Sequence, residues 1–490
     1  MRTGLFPEAI PNWVEGGEWP ALSGELFEKL APARGRLLCR AARSAEADVK
    51  GAVAVAKQRQ PSWAELTPVR RGEILYAVAA ALEERREQVA RVVAQETGKS
   101  YKLALGETDG AIALGRFMAG EGQRLYGRTT TSGVAHRYAM TIRQPVGVAG
   151  LIVPANTPIA NVAWKVFPAL ICGNTAVLKA AEDAPATAWI FGKIAHEAGL
   201  PGGALNIVQG YGEEAGAPLV KNPDVGVISF TGSTAVGRRI GAIAGERLAR
   251  VSLELGGKNP LVVCDDADLE NAAQWVLLSA FSNAGQRCAS ASRIIVFESV
   301  YRSFRDLLVE RAKRLKVGPG DDDDFGPVIN ERQLKAMLGF VERAAQRGAT
   351  LLTGGHRLTG PEHRDGFYMS PTLIEGIDPG DEISSTELFG PVACLYPARD
   401  FEAALALANR SPYGLTACIH THSLHRALQF TRKIEAGVVV VNAGTYGSEP
   451  HMPFGGAKQS GNGWREPGTE ALDLYSELKD VYISIDPEEL

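Results

Sequence analysis

The sequence predicts an α/β protein made of two large α/β domains and a small β arm. Three observations carry this reading. Between Val146 and Leu255, short apolar β-prone runs alternate with helical stretches, the pattern of a parallel sheet covered by helices on both faces. A second α/β region follows from Asn259. At 490 residues the chain exceeds what a single hydrophobic core holds, so at least two large domains are expected.

The elements follow in order. From Ser44 to about Gly122 the chain is rich in Ala, Glu, Arg and Leu at helical spacing, and Thr67-Pro68 reads as an N-cap and first-turn pair. Arg124 to Arg143 changes character, with "TTTSG" between β-prone runs, and predicts a hairpin turning near Ser132-Gly133 that forms an arm. The runs "VGVAGLIV", "NTAVLK", "LNIV", "VGVISF" and "VSLEL" are the strands of the first sheet, interleaved with helices such as "ATAWIFGKIAHEAG". In "DADLENAAQWVLLSAF", Leu269, Ala272, Ala273, Val276, Leu277 and Ala280 share one face of a packed helix. The terminal "LKDVYISI" is β-prone and has two candidate partners, the earlier hairpin or another subunit.

Composition excludes several classes. Apolar content of 45%, charged content of 22% and a net charge of -4 are those of an ordinary globular protein and leave no basic footprint for nucleic acid. The N-terminal stretch lacks the pattern of a secretory signal or a mitochondrial presequence, which predicts a cytoplasmic protein. The longest apolar region is interrupted by prolines, asparagines and a lysine, so no membrane span is expected. The 6 cysteines show no CxxC pair and no zinc spacing, so neither disulfides nor a metal site is implied.

Five segments carry candidate chemistry. In "SNAGQRCAS", residues 282–290, Cys288 follows a helix among small and polar residues; it is sterically open, and its thiolate would be a nucleophile. Alone it proves little, because free cysteines are mostly buried and inert. In "VSLELGGKNP" a strand delivers Glu254 into a diglycine turn, a setting for a general base or for a plain surface glutamate. "ISFTGSTAVGRRIG" runs strand, then Gly232 and Ser233, then helix, with Gly237 permitting close packing; free N–H groups at that helix start suit a pyrophosphate. It matches no generic dinucleotide fingerprint, and the nearby "GYGEEAG" misses one by a residue. In "NTAVLKAAED", Lys179 and Glu182 follow a strand, placed either for ribose hydroxyls or as a solvated helix start. In "VPANTPIANVAWK", Asn156 is held between two prolines, where a side-chain amide can donate to a developing oxyanion or simply form a turn.

These segments in this order, with "ELFGPV" at 387–392 and "PFGGAKQSGNGWRE" at 453–466, resemble the aldehyde dehydrogenase superfamily across nearly the whole chain. The resemblance implies a Rossmann-like cofactor domain over 1–122 and 146–256, a catalytic α/β domain over 257–459, and a β oligomerization arm over 123–145 and 470–490. It assigns Cys288 as nucleophile, Glu254 as general base, Asn156 as oxyanion donor and Lys165 as a lysine near the reacting centre. Val153, Pro154, Lys179, Glu182, Gly232, Ser233, Glu387 and Phe389 match cofactor contacts. Asn161, Trp164, Arg287, Tyr446, Glu449, His451 and Phe454 match the substrate channel. Where relatives often carry Trp and Phe around the asparagine, this chain has Ala155 and Thr157, which widens or polarises that corner.

The implied reaction is oxidation of an aldehyde to its carboxylic acid with a nicotinamide cofactor, through a thiohemiacetal and a thioester on Cys288, with water as second substrate. Glu182 should repel a 2'-phosphate, so NAD is expected over NADP. Arg287 and Lys165 are the expected activators of the thiol, although Arg287 also suits an ion pair or an anionic substrate tail. Glu449, His451 and Tyr446 suggest a polar channel, which favours a short polar or carboxylate-bearing semialdehyde such as 2,5-dioxopentanoate or succinic semialdehyde. Aliphatic and aromatic aldehydes stay open, as does a dimer or a tetramer. Glu254 argues against the rival CoA-acylating reaction, and Cys288, Glu254 and Asn156 together argue against a non-catalytic member of the fold.

Overall fold

A computed structural model describes residues 4–485. Residues 9–42, which carry no strong periodicity, add strands ahead of the helical opening: Ala9–Ile10, Leu26–Leu30 and Leu37–Ala42 form a small sheet. The opening itself is helical over Glu46–Ala64, Pro68–Glu84, Arg86–Thr97 and Tyr101–Gly120. Thr67 caps the second of these, its hydroxyl accepting the Arg70 N–H at 3.2 Å with Pro68 in the first turn.

The first seven-stranded sheet contains β1 (Asn12–Val14), β2 (Gly17–Trp19), β3 (Val148–Ile152), β4 (Thr175–Lys179), β5 (Leu205–Val208), β6 (Val225–Thr231) and β7 (Arg250–Glu254), in the order β7-β6-β3-β4-β5-β1-β2. Strands β3 to β7 are parallel, while β1 and β2 add antiparallel edges. Every residue of β3, β4 and β5 is buried, which is why these strands read as unbroken apolar runs and not as alternating ones. From β3 the chain winds outward through β4 and β5, then returns to wind the other way through β6 and β7. A crevice therefore opens beyond the carboxyl ends of β3 and β6, the position where open parallel sheets bind ligands.

The second seven-stranded sheet contains β8 (Asn259–Val263), β9 (Ala291–Phe297), β10 (Thr350–Thr353), β11 (Thr372–Glu375), β12 (Val392–Ala398), β13 (Thr416–His420) and β14 (Val438–Val441), in the order β10-β11-β12-β9-β8-β13-β14. It is parallel except for the β10–β11 pair. Helix Leu269–Phe281 packs on it through Ala272, Ala273, Val276 and Ala280, capped by the Asp268 carboxylate. Each sheet has its own core.

Two later segments cross back to the first unit. Leu255 N–H donates to the Ser460 carbonyl at 2.9 Å, and Tyr475 is fully buried in the first core. Strand Ser476–Ser484 then pairs antiparallel with Arg137–Pro145 along its whole length, and Thr129–Thr131 completes a three-stranded arm. The terminal strand thus takes the hairpin as its partner, while residues 486–490 of the expected arm lie outside the described residues. No helix among the described residues is long and apolar enough to cross a membrane.

Candidate active site

The two sheets face each other across a cavity of about 330 Å³ lined by Pro154 and Asn156 beyond β3, Thr231, Gly232 and Ser233 at the end of β6, and Glu254 at the end of β7. From the opposite side come Cys288, Glu387, Leu388 and Phe389, with Asn161, Trp164, Thr157 and Phe454 closing one end. Gln333 also lines it. That residue was missed by sequence reading, because nothing in its helical context (Glu331–Gln346) marks it as more than a surface position.

Cys288 differs from the other cysteines in its surroundings. Cys39, Cys172, Cys264, Cys394 and Cys418 are buried, whereas Cys288 is half-buried. Its loop begins with three successive left-handed residues: Asn283 at φ 55°, Ala284 at 54° and Gly285 at 67°. Left-handed backbone at alanine is strained and persists only where surroundings over-determine it. Here the Asn283 amide donates to the carbonyls of Asn156 and Gln286, both at 3.2 Å, and the Gln286 carboxamide accepts the Ile329 N–H at 2.8 Å. Gly257 and Asn259 complete the seat. A Cβ on Gly257 would lie 2.6 Å from the Cys288 carbonyl oxygen, which the Asn259 amide holds at 2.7 Å.

The electrostatics of the thiol correct one expectation. Burial pushes the Cys288 thiol up to about 12, and the neighbouring carboxylates Glu387 and Glu254 push in the same direction. The backbone N–H groups of Ala289 and Cys288 oppose this. Lys165 is committed elsewhere: it is 1% exposed and donates to Glu466 at 2.8 Å and to the Ser229 hydroxyl oxygen at 2.6 Å. Its charge acts on Glu254 instead, in opposition to Glu466. Glu466 receives the Tyr475 hydroxyl at 2.8 Å as well. It closes the quoted segment 453–466, but only the fold reveals its buried partner.

Glu254 sits 4% exposed with neither carboxylate oxygen hydrogen-bonded among the described residues. Burial first, then Glu466, holds its carboxyl well above the usual range. A Cβ on Gly455 would lie 2.7 Å from its Oε1, so the glycine leaves room for this side chain. Across the cavity, Glu387 accepts the Gly257 N–H at 3.0 Å, and burial raises its carboxyl to about 7. Any side chain at Gly256 would meet Glu387 at 2.1 Å. The diglycine turn thus admits Glu387 through Gly256 and the Cys288 loop through Gly257. Phe389 beside it has φ 55°, again a strained residue at the cavity wall.

Asn156 donates its Nδ2 to the Gln286 carbonyl at 3.0 Å, which ties the asparagine to the cysteine loop and leaves a second N–H on the same nitrogen. Of the expected cofactor residues, Pro154, Gly232, Ser233, Glu387 and Phe389 line the cavity, whereas Val153 is buried behind it. Lys179 lies at the end of β4 and pairs with Glu182 at 2.9 Å. Ser233 caps helix Thr234–Glu246, and a Cβ on Gly237 in that helix would meet Leu255 at 2.4 Å. A dinucleotide suits these donors: free helix N–H groups for phosphate, a Lys/Glu pair at one strand end and a glutamate across the cleft for ribose hydroxyls.

On the substrate side the residues divide. Trp164 and Phe454 pack with ring centroids 5.4 Å apart and form an apolar cluster with Ala289, Leu415, Cys288 and Tyr446. Asn161 donates to the Thr157 hydroxyl and carbonyl at 2.7 and 2.9 Å. The Arg287 guanidinium lies over the Tyr446 ring at 4.6 Å, makes no hydrogen bond or ion pair among the described residues, and has a buried, unpartnered Nε. Glu449 and His451 are exposed and 3.6 Å from each other, outside the cavity lining. The wall next to Cys288 is therefore aromatic, with the Arg287 guanidinium over the Tyr446 ring beside it.

A switch-point crevice on one α/β sheet, with Glu254 at its rim, is faced by a thiol and a second carboxylate, Glu387, from the other sheet's side, the arrangement of a cofactor-dependent enzyme with a cysteine nucleophile. Residues 19–481 match the family model described as "Aldehyde dehydrogenase family". The chain belongs to that family. It is 38% identical to the alpha-ketoglutaric semialdehyde dehydrogenase of Bacillus subtilis, over 96% of this chain and 97% of that one. It is 39% identical to the alpha-ketoglutarate semialdehyde dehydrogenase of Haloferax volcanii, over 96% and 98% respectively. Among solved structures, Staphylococcus aureus betaine aldehyde dehydrogenase in complex with NAD+ is 30% identical, with a TM-score of 0.95 over 98% of this chain and 95% of that one.

Proposed function

We propose that the protein oxidises a carboxylate-bearing semialdehyde, of the 2,5-dioxopentanoate type, to the dicarboxylic acid with NAD. The observation that carries the substrate class is Arg287, a guanidinium next to the thiol with which no carboxylate among the described residues forms an ion pair. A desolvated, unpaired charge is costly, and a substrate carboxylate offsets that cost. The names of the Bacillus and Haloferax relatives point to the same class. Arg287→Met should lower kcat/KM for the semialdehyde by about 30-fold or more, the usual cost of truncating one partner of a buried charge pair. Propanal, which has no carboxylate, should be nearly unaffected; an equal loss on both aldehydes would sink the assignment.

In the proposed mechanism the Cys288 thiolate adds to the aldehyde carbon, and the oxygen becomes an oxyanion facing the Asn156 amide and the N–H groups at Cys288 and Ala289. The oxidised dinucleotide, when bound, supplies the hydride acceptor. Hydride loss leaves a thioester on Cys288. Glu254 takes a proton from water, whose oxygen attacks the thioester carbon, releases the acid and returns the sulfur. Glu387, Lys179 and Glu182 anchor ribose hydroxyls so that reacting atoms are held in register.

Glu182 supports NAD in particular, because Lys179 holds its carboxylate and keeps it ionised, where it repels a 2'-phosphate. The ratio of kcat/KM for NAD over NADP should fall when Glu182 is replaced by glutamine; a wild-type preference for NADP would refute the reading. The exposed apolar side chains of the arm, including Tyr138, Leu478 and Tyr482, support assembly through that arm into a dimer or tetramer.

A further inference from the structure

We propose that Lys99 and Glu107 are positioning residues for Asn156, holding it through one buried ion pair; this rests on the reading of Asn156 as the oxyanion donor. Lys99 leaves the turn between helices Arg86–Thr97 and Tyr101–Gly120, and Glu107 lies two turns into the second helix. Their side chains are 2% and 6% exposed. The ammonium of Lys99 donates to Glu107 Oε2 at 2.5 Å and to the Asn156 carbonyl at 2.7 Å. The other carboxylate oxygen accepts the N–H groups of Ile159 at 3.0 Å and Ala160 at 3.3 Å.

These N–H groups are the unsatisfied donors at the start of helix Pro158–Ile171, whose N-cap residue, Thr157, supplies no capping side chain. Glu107 caps that helix from another element, and the negative charge suits the helix N-terminus. One ion pair thus grips the chain on both sides of Asn156: at its own carbonyl and at the helix that follows. The pair is itself anchored. A Cβ at Gly326 would lie 2.0 Å from the Gly98 carbonyl oxygen, so the turn bearing Lys99 is packed directly against the loop that precedes Gln333. Arg287 interacts with both members of the pair, with opposite sign and without an ion pair to Glu107, so removing the two charges together leaves its surroundings nearly unchanged.

Without the ammonium, the Asn156 carbonyl keeps only the Asn283 amide at 3.2 Å. The asparagine would then lose register with the sulfur while the aldehyde and dinucleotide sites stay intact. The double variant Lys99→Met/Glu107→Gln removes both charges together and keeps an acceptor for the helix N–H groups. It should lower kcat by about 10- to 100-fold, the scale of a sub-ångström to 1 Å misplacement, with KM for the aldehyde and affinity for NAD little changed. Introduced into an Asn156→Ala background, the same changes should cost almost nothing further, because the group they position is gone.

Equal losses in both backgrounds, or an unchanged kcat in the wild-type background, would overturn the proposal. Thermal melting of each variant separates general unfolding from this effect. If Asn156→Ala alone leaves kcat intact, the oxyanion reading falls and takes this inference with it. If Asn156→Ala is severely impaired and the double variant is not, the positioning role alone fails.

Discussion

Replacing Cys288 with serine should abolish aldehyde-dependent NADH formation and leave NAD binding intact. A serine hydroxyl keeps the size of the group, but its ionised form is far less accessible than a thiolate, and no histidine among the described residues lines the cavity to act as its base. The surroundings make the demand sharper. Burial and two carboxylates already hold the thiol near 12, so even cysteine depends on the N–H groups of Cys288 and Ala289 and on positive charge entering the cleft. Tryptophan fluorescence quenching by NAD, measured beside a coupled absorbance assay, checks both halves. Turnover of the serine variant near the wild-type rate would remove Cys288 from the mechanism.

Glu254→Gln should separate the two halves of the reaction. In the proposed mechanism the first, up to the thioester, does not use the carboxylate, and the second needs it to take a proton from water. The expected result is one equivalent of NADH per site in a rapid burst, followed by steady-state turnover reduced by about 10²- to 10⁴-fold, the range for a lost general base. The pH profile carries a second signature. Glu254 is held well above its ordinary value by burial and by Glu466, so its basic form grows as pH rises over a range above that of an ordinary carboxylate. Wild-type turnover limited by thioester hydrolysis should therefore increase with pH, and the glutamine variant should lose that limb. A burst followed by undiminished turnover would show that another group activates water.

The sheets and most helices were legible because their residues repeat a physical pattern. Fully buried parallel strands such as Val148–Ile152 and Thr175–Lys179 must be continuously apolar, and a packed helix such as Leu269–Phe281 must place its apolar residues on one face. The short strands before residue 43 escaped, being two to six residues long and without a sustained apolar alternation. Cys288, Glu254 and Asn156 were legible as motifs because glycines and prolines mark the sharp turns that present them. Lys165 was legible as a residue but not as a contact: its partner Glu466 lies far along the chain. Glu449 and His451 are exposed and paired with each other, a contact that the loop sequence did not reveal.

By itself, the sequence determined the residue types available for chemistry and the strand and helix periodicity that sorts them into two α/β units. Only the tertiary structure decided which charges meet. The Lys165–Glu466 and Lys99–Glu107 pairs, the unpaired Arg287 and the opposed Glu254 and Glu387 all depend on side chains from separate elements sharing one desolvated space. Electrostatic energy in such a space depends on distance and burial, and neither is written in the local order of residues.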